Sequence, residues 1–131
     1  MKFGTKTSTA FAVACLLAAQ LGSTSAMAAD VVIGDIDDLS GLYADVIGQG
    51  GIEAAKMAIA DFGGKVLGRN IVLLTADHQN KPDIGSSKFR EWADTNGLNM
   101  LLGGSNTGVS IAMSKVALAK KVPFIAIGAA G

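Results

Sequence analysis

One cysteine, two prolines, one histidine and one tryptophan are all that the 131 residues hold of those types, and neither sign of charge prevails, Lys+Arg and Asp+Glu each counting 11. A single cysteine cannot close an internal disulfide, which excludes a disulfide-framed scaffold. Balanced charge without a basic run leaves no electrostatic footprint for nucleic acid. With 50% of residues apolar and 17% charged the chain is too hydrophobic for disorder, and its 17 glycines follow no triplet period, which excludes collagen. The length bounds it at one domain.

Much of the apolar content lies at the start. Lys2 and Lys6 form a short positive region, Ala10 to Leu21 is apolar except at Gln20, and Gly22 to Ala29 is small and weakly polar. The run is about 12 residues where a membrane-spanning helix needs about 20, so it reads as a secretory signal peptide over residues 1–28. Ala26-Met27-Ala28 offers the small side chains that signal peptidase requires, placing the cut after Ala28. Cys15 lies in the middle of the apolar region and is a poor lipid acceptor. Without Lys2 and Lys6, nine basic residues face 11 acidic ones, leaving the exported segment near −2.

From residue 29 the pattern alternates between strand and helix. Val31 to Ile36 is a β-branched run that opens into the turn residues Asp37-Asp38-Leu39-Ser40-Gly41. Between Gly51 and Phe62 the apolar residues recur at helical spacing, with Glu53 expected in the first turn and Gly63-Gly64 as the stop. Asn70 to Asp77 reads as a second strand, and Asn80 as the cap of a helix with Pro82 in its first turn, ending at Asn96-Gly97. A third strand, Leu98 to Leu102, a helix from Thr107 to Lys120 and a fourth strand, Pro123 to Ile127, complete a βαβαβαβ order. Strands that read as apolar runs are covered on both faces, so the fold class is a doubly wound parallel α/β sheet. Ligands of such sheets bind outside the carboxyl ends of the strands, near a topological switch point.

No catalytic motif falls at those ends. The loop after the first strand lacks a dinucleotide fingerprint and is acidic, Gly103-Gly104-Ser105-Asn106-Thr107-Gly108 has no lysine after its last glycine, and no glycine follows Ser105 at the spacing of a nucleophile elbow. His78 reads as a solvated loop residue, and with Asp77 alone beside it makes a poor metal site. No enzyme activity, metal or cofactor is therefore expected. What remains suits binding. Ser105, Asn106 and Thr107 combine hydroxyl and amide groups with the positive end of a helix, and Gly128-Ala129-Ala130 exposes backbone donors, a combination suited to a small carboxylate. Tyr43, the one tyrosine, stands where it can wall the same cleft.

Leu39-Ser40-Gly41-Leu42-Tyr43, the Gly-rich entry to an alanine-rich helix ending Asp61-Phe62-Gly63-Gly64, the Val66-Leu67-Gly68-Arg69 turn, Ala76 to Lys81, and Gly104 to Thr107 leading to Gly128-Ala129-Ala130 together resemble the amino-terminal lobe of periplasmic substrate-binding proteins of the branched-chain amino acid type, the receptors of ABC importers. The resemblance covers residues 29–131. It implies a periplasmic location, an amino acid or similar small organic acid as ligand, a membrane permease as partner, hinge closure of two lobes, and ligand contacts from Tyr43, Ser105, Asn106, Thr107, Ala129 and Ala130. Gly131 stands where many relatives carry Thr or Ser. Residues 29–131 correspond to part of the first lobe only, so the lobe is incomplete and the second is absent. The rival expectation is an exported flavodoxin-like enzyme or nucleotide-binding domain.

Overall fold

The computed structural model describes residues 29–129; the signal segment, the cut after Ala28, and Ala130 lie outside the described residues. Five strands form one sheet: β1 (Val31–Asp37), β2 (Lys65–Val66), β3 (Arg69–Asp77), β4 (Leu98–Gly103) and β5 (Phe124–Ala126), in the order β2-β3-β1-β4-β5. β1, β3, β4 and β5 pair in parallel, and only the two-residue β2 runs antiparallel, on the edge beside β3. The helices are α1 (Gln49–Asp61), α2 (Pro82–Thr95) and α3 (Thr107–Lys120), with a π-helical segment, Ala44–Gly48, leading into α1. The expected doubly wound fold is present, with β2 as an addition.

Its topology follows from the connections. The chain leaves β1 through α1 to β3 on one side, then returns over β1 through α2 to β4 on the other. The direction of winding reverses at β1 and β4, so a crevice opens where their carboxyl ends part. α2 and α3 share the face on which the core lies, built from Ile36 of β1, Leu98 and Leu101 of β4, Phe89 and Trp92 of α2, and Val109, Met113 and Val116 of α3. Phe89 is fully buried and meets the Phe124 ring at 6.1 Å between centroids, tying β5 to this layer. Burying a side chain of that size contributes roughly 1.5 to 3 kcal/mol, which explains why short apolar strands suffice here.

Local chemistry moves several expected boundaries. α1 begins at Gln49, two residues before the expected Gly51, so Glu53 falls beyond the first turn and pairs instead with Lys56 at 2.7 Å. Asn80 is not the cap of α2: Gln79 and Asn80 both take positive φ, near 51° and 56°, and the extended Lys81 precedes Pro82 at the helix start. Proline disfavours a helical residue before it, which moves the boundary past Asn80. β2 is too short for any periodicity to reveal. Asn106 does cap α3, its side chain accepting the Val109 N–H at 3.1 Å.

Candidate functional site

Four loops meet at the carboxyl ends of the strands, and buried polar groups lace three of them together. Asp38, fully buried just past β1, accepts the N–H groups of Gly41 at 2.7 Å and Tyr43 at 2.9 Å. Its carboxylate therefore winds Leu39 to Leu42 into a tight loop and fixes where Tyr43 leaves it. Asp77, at the end of β3, accepts the Ser40 hydroxyl at 2.5 Å and the N–H groups of Leu39 at 3.0 Å and Gln79 at 2.7 Å, pinning the first loop to the next. Burial works against the charge of Asp77, but those three donors and the nearby His78 outweigh it and hold the carboxyl below its ordinary 3.8.

The β4 loop is bound in the same way. Asp37 Oδ1 accepts the Ser105 N–H at 3.2 Å, Ser105 Oγ accepts the Asp38 N–H at 3.3 Å, and Gly104 donates to the Ile36 carbonyl at 2.9 Å. Asn106 holds the first turn of α3, and the Ser110 hydroxyl donates back to the Gly104 carbonyl at 2.6 Å. After β5, Ile127 donates to the Gly103 carbonyl at 2.9 Å, and Gly128 lies directly against the Ile47 side chain of the π-helical segment.

Of the expected site residues, Tyr43, Ser105 and Asn106 lie on loops that this network joins, Thr107 opens α3 directly after them, Ala129 is exposed at the end of the β5 loop, and Ala130 lies outside the described residues. Ser105 is only 4% exposed and Thr107 half-buried. His78 is a correction: it is fully buried, not solvated. Its Nδ1 accepts the Asn80 N–H at 3.0 Å and its Nε2 lies 3.4 Å from Ser105 Oγ. Sequence separation hid the pair, because the two residues stand 27 positions apart on loops that the parallel sheet brings side by side.

A buried serine beside a histidine among aspartates invites comparison with a nucleophile and its base. The bonding rules it out. Nδ1 is committed as an acceptor, so the imidazole proton sits on Nε2 and faces Ser105, leaving no lone pair to take the serine proton and no Nδ1–H for an aspartate to orient. Among the described residues no group of three His, Cys, Asp or Glu side chains is placed to hold a metal ion, and no helix is long and apolar enough to cross a membrane. A groove of about 290 Å³ between α2 and α3, bordered by Arg90 and Lys115, lies on the helical layer and not at the strand ends.

A doubly wound parallel sheet with its strand-end loops fastened together at the switch point defines the class, a single α/β lobe. The periplasmic binding protein family model matches residues 30–131, and the chain belongs to that family. A periplasmic binding protein from Burkholderia mallei is 58% identical, superimposes with a TM-score of 0.75, and aligns over 76% of this chain and 27% of its own. A branched-chain amino acid ABC transporter periplasmic ligand-binding protein from Burkholderia xenovorans is 37% identical, with a TM-score of 0.70 and coverage of 72% and 25%. A solute-binding protein of an ABC transporter from Rhodopseudomonas palustris, solved in complex with 3,4-dihydroxybenzoic acid, is 26% identical, with a TM-score of 0.72 and coverage of 76% and 27%. The chain thus spans about a quarter of the length of the structures it matches. No curated protein matches it. Nothing in these comparisons favours a flavodoxin-like enzyme or a nucleotide-binding domain.

Proposed function

We propose that residues 29–131 form the amino-terminal part of the first lobe of an exported receptor that delivers an amino acid or another small organic acid to an ABC importer, binding without catalysis. The observation that carries this reading is the convergence of the β1, β4 and β5 loops at the switch point, where hydroxyl, amide and backbone groups stand on a rigid internal lattice. Tyr43, Asn106, Thr107, Ala129 and Ala130 would line one wall of the cleft, with Ser105 setting the loop between them. A second lobe would supply the other wall and close on the ligand by hinge motion. The relatives named above support the ligand class, one described as a branched-chain amino acid transporter component and another holding an aromatic carboxylic acid. A membrane permease follows as the partner.

The test is a chimera in which residues 29–131 replace the matching segment of the Burkholderia mallei protein. Ser105→Ala removes a hydroxyl and the acceptor of the Asp38 N–H, and should weaken ligand binding by roughly 1 to 2 kcal/mol. Lys121→Gly is the control, since Lys121 ends α3 at the opposite end of the sheet with φ near 56°, a conformation glycine adopts freely. Calorimetric titration in which Ser105→Ala and Lys121→Gly bind equally well would refute the assignment.

Export is the second part of the reading. The expected product begins at Ala29, the first residue after the cut, and carries no lipid, Cys15 having left with the signal peptide. Intact-mass measurement of periplasmic material checks both, and a product starting at Cys15 with added acyl mass would overturn the placement.

A further inference from the structure

His78 is a fully buried polar side chain that ligand contact does not explain, and it links its own loop to the β4 loop and, through Ser105, to the β1 loop. On its own loop, Nδ1 accepts the Asn80 N–H at 3.0 Å, closing the turn in which Gln79 and Asn80 both hold positive φ. Across the sheet, Nε2 reaches Ser105 Oγ at 3.4 Å. Ser105 Oγ accepts the Asp38 N–H, and the Asp38 carboxylate holds the N–H of Tyr43. One imidazole therefore stands at the head of a chain of bonds running from the β3 loop through the β4 loop to the tyrosine of the β1 loop.

We propose that His78 is a positioning residue of the ligand site, acting as a neutral Nε2–H imidazole that fastens the Ser105 and Tyr43 loops, and that its protonation unfastens them. The inference rests on the reading of these loops as the ligand wall. Its chemistry is specific. Nδ1 can accept from Asn80 only while unprotonated; a proton there would set two N–H groups against each other 3.0 Å apart, so the Gln79–Asn80 turn opens and the ring turns toward the aspartates, drawing Nε2–H off Ser105 Oγ. An alternative set of partners is at hand. Asp37 and Asp38 from the end of β1 and Asp77 from β3 all attract a proton to His78, and Asp37 Oδ2 is buried without a hydrogen-bond partner among the described residues. From α2, Gly85 lies beside the His78 side chain and brings no charge, and the β4 loop brings the Ser105 hydroxyl. Burial is the largest influence and keeps the imidazole below its ordinary 6.5, so the fastened form prevails at neutral pH. The unfastened form gains as pH falls.

Because His78 is the one histidine in the chain, selective ¹⁵N-imidazole labelling reports on it alone. NMR of the 131-residue chain is expected to show the Nε2–H tautomer at pH 7.5. As the imidazole titrates, the amide signals of Asp38, Tyr43 and Asn80 should move with the same midpoint, and hydrogen-exchange protection at Asp38 and Tyr43 should fall by roughly tenfold. His78→Gln, whose amide can donate to Ser105 and accept from Asn80 without titrating, should hold those amide signals unchanged over the same range. An Nδ1–H tautomer, or a titration that leaves Asp38 and Tyr43 unmoved, would overturn the proposal, and so would the same pH response in His78→Gln. Should His78→Gln fail to fold, the tautomer and coupled shifts of the parent chain still decide it. None of these readouts needs ligand, so failure of the chimera to bind would count against the site reading and not against the fastening role.

Discussion

Gly103→Ala is expected to destabilise the chain by about 4 kcal/mol or more, most of the stability of a marginally stable domain. Gly103 has φ near 117°, and a β-carbon built on it falls 2.2 Å from the Ile36 carbonyl oxygen, 2.7 Å from its carbon and 2.9 Å from its nitrogen. All three are backbone atoms of β1, so no side-chain rotation relieves the overlap. Relief requires β1 and β4 to separate at the point where the Gly104 N–H reaches Ile36 and the Ile127 N–H reaches Gly103. The same residue thus fixes the strand pair and opens the loop that carries Ser105, Asn106 and Thr107. Gly63→Ala supplies the contrast: its φ is near 90° but no atom lies within 4 Å of the added carbon, so only the backbone penalty of about 1 to 2 kcal/mol applies. Urea denaturation followed by circular dichroism measures both, and equal losses at the two positions would show that strand contact at Gly103 is not what matters.

The second large effect is a pH dependence written into β1. Asp35 and Asp37 alternate with Ile36, which points to the α2–α3 core, so both carboxyls lie on the face that α1 covers; a β-carbon on Gly51 of α1 would sit 3.4 Å from Asp37 Oδ2. Asp35 is 1% exposed, and burial first, then the charge of the neighbouring Asp37, push its carboxyl from 3.8 up to about 7. Between those two values only the folded chain holds the proton, so stability falls as pH rises, and above the upper one the loss is complete. A shift of that size corresponds to roughly 2 to 4 kcal/mol once relaxation of the site is allowed for. Asp35→Asn removes the titration. The variant is expected to be the more stable of the two at pH 8 and to lose that advantage by about pH 4. Denaturation curves with a constant difference between parent and variant across this range would show that Asp35 ionises normally in the fold.

These two positions also mark where sequence stopped informing structure. The apolar runs of β1, β3 and β4 and the spacing of Phe89, Trp92, Val109, Met113 and Val116 are local signals, and they placed four strands, three helices and the doubly wound sheet correctly. The strand-end rule chose the loops that converge. What escaped was every relation that depends on distant partners. Asp35 and Asp37 interrupt an apolar strand, and nothing in the neighbouring residues tells that they are buried at its interior. His78 has the polar neighbours of a surface loop, yet its partner Ser105 and the Asp38–Ser105 bond span 27 and 67 residues. Asp77 looked like a lone carboxylate and is instead the tie between the β1 and β3 loops, 38 residues apart at Leu39. Asn80 has the chemistry of a helix cap, but Pro82 moved the boundary and Asn80 took a left-handed turn position instead.

The central claim, a ligand wall at the β1, β4 and β5 loop ends, is tested most directly by calorimetric titration of the chimera carrying residues 29–131. The titrants would be the branched-chain amino acids, other α-amino acids, benzoate-type acids and, as the opposing class, mono- and dinucleotides. The account predicts one-to-one binding of a small carboxylate at micromolar affinity or tighter, with no heat from any nucleotide. A chimera that is folded yet binds none of the carboxylates, or that binds a nucleotide in their place, would contradict it.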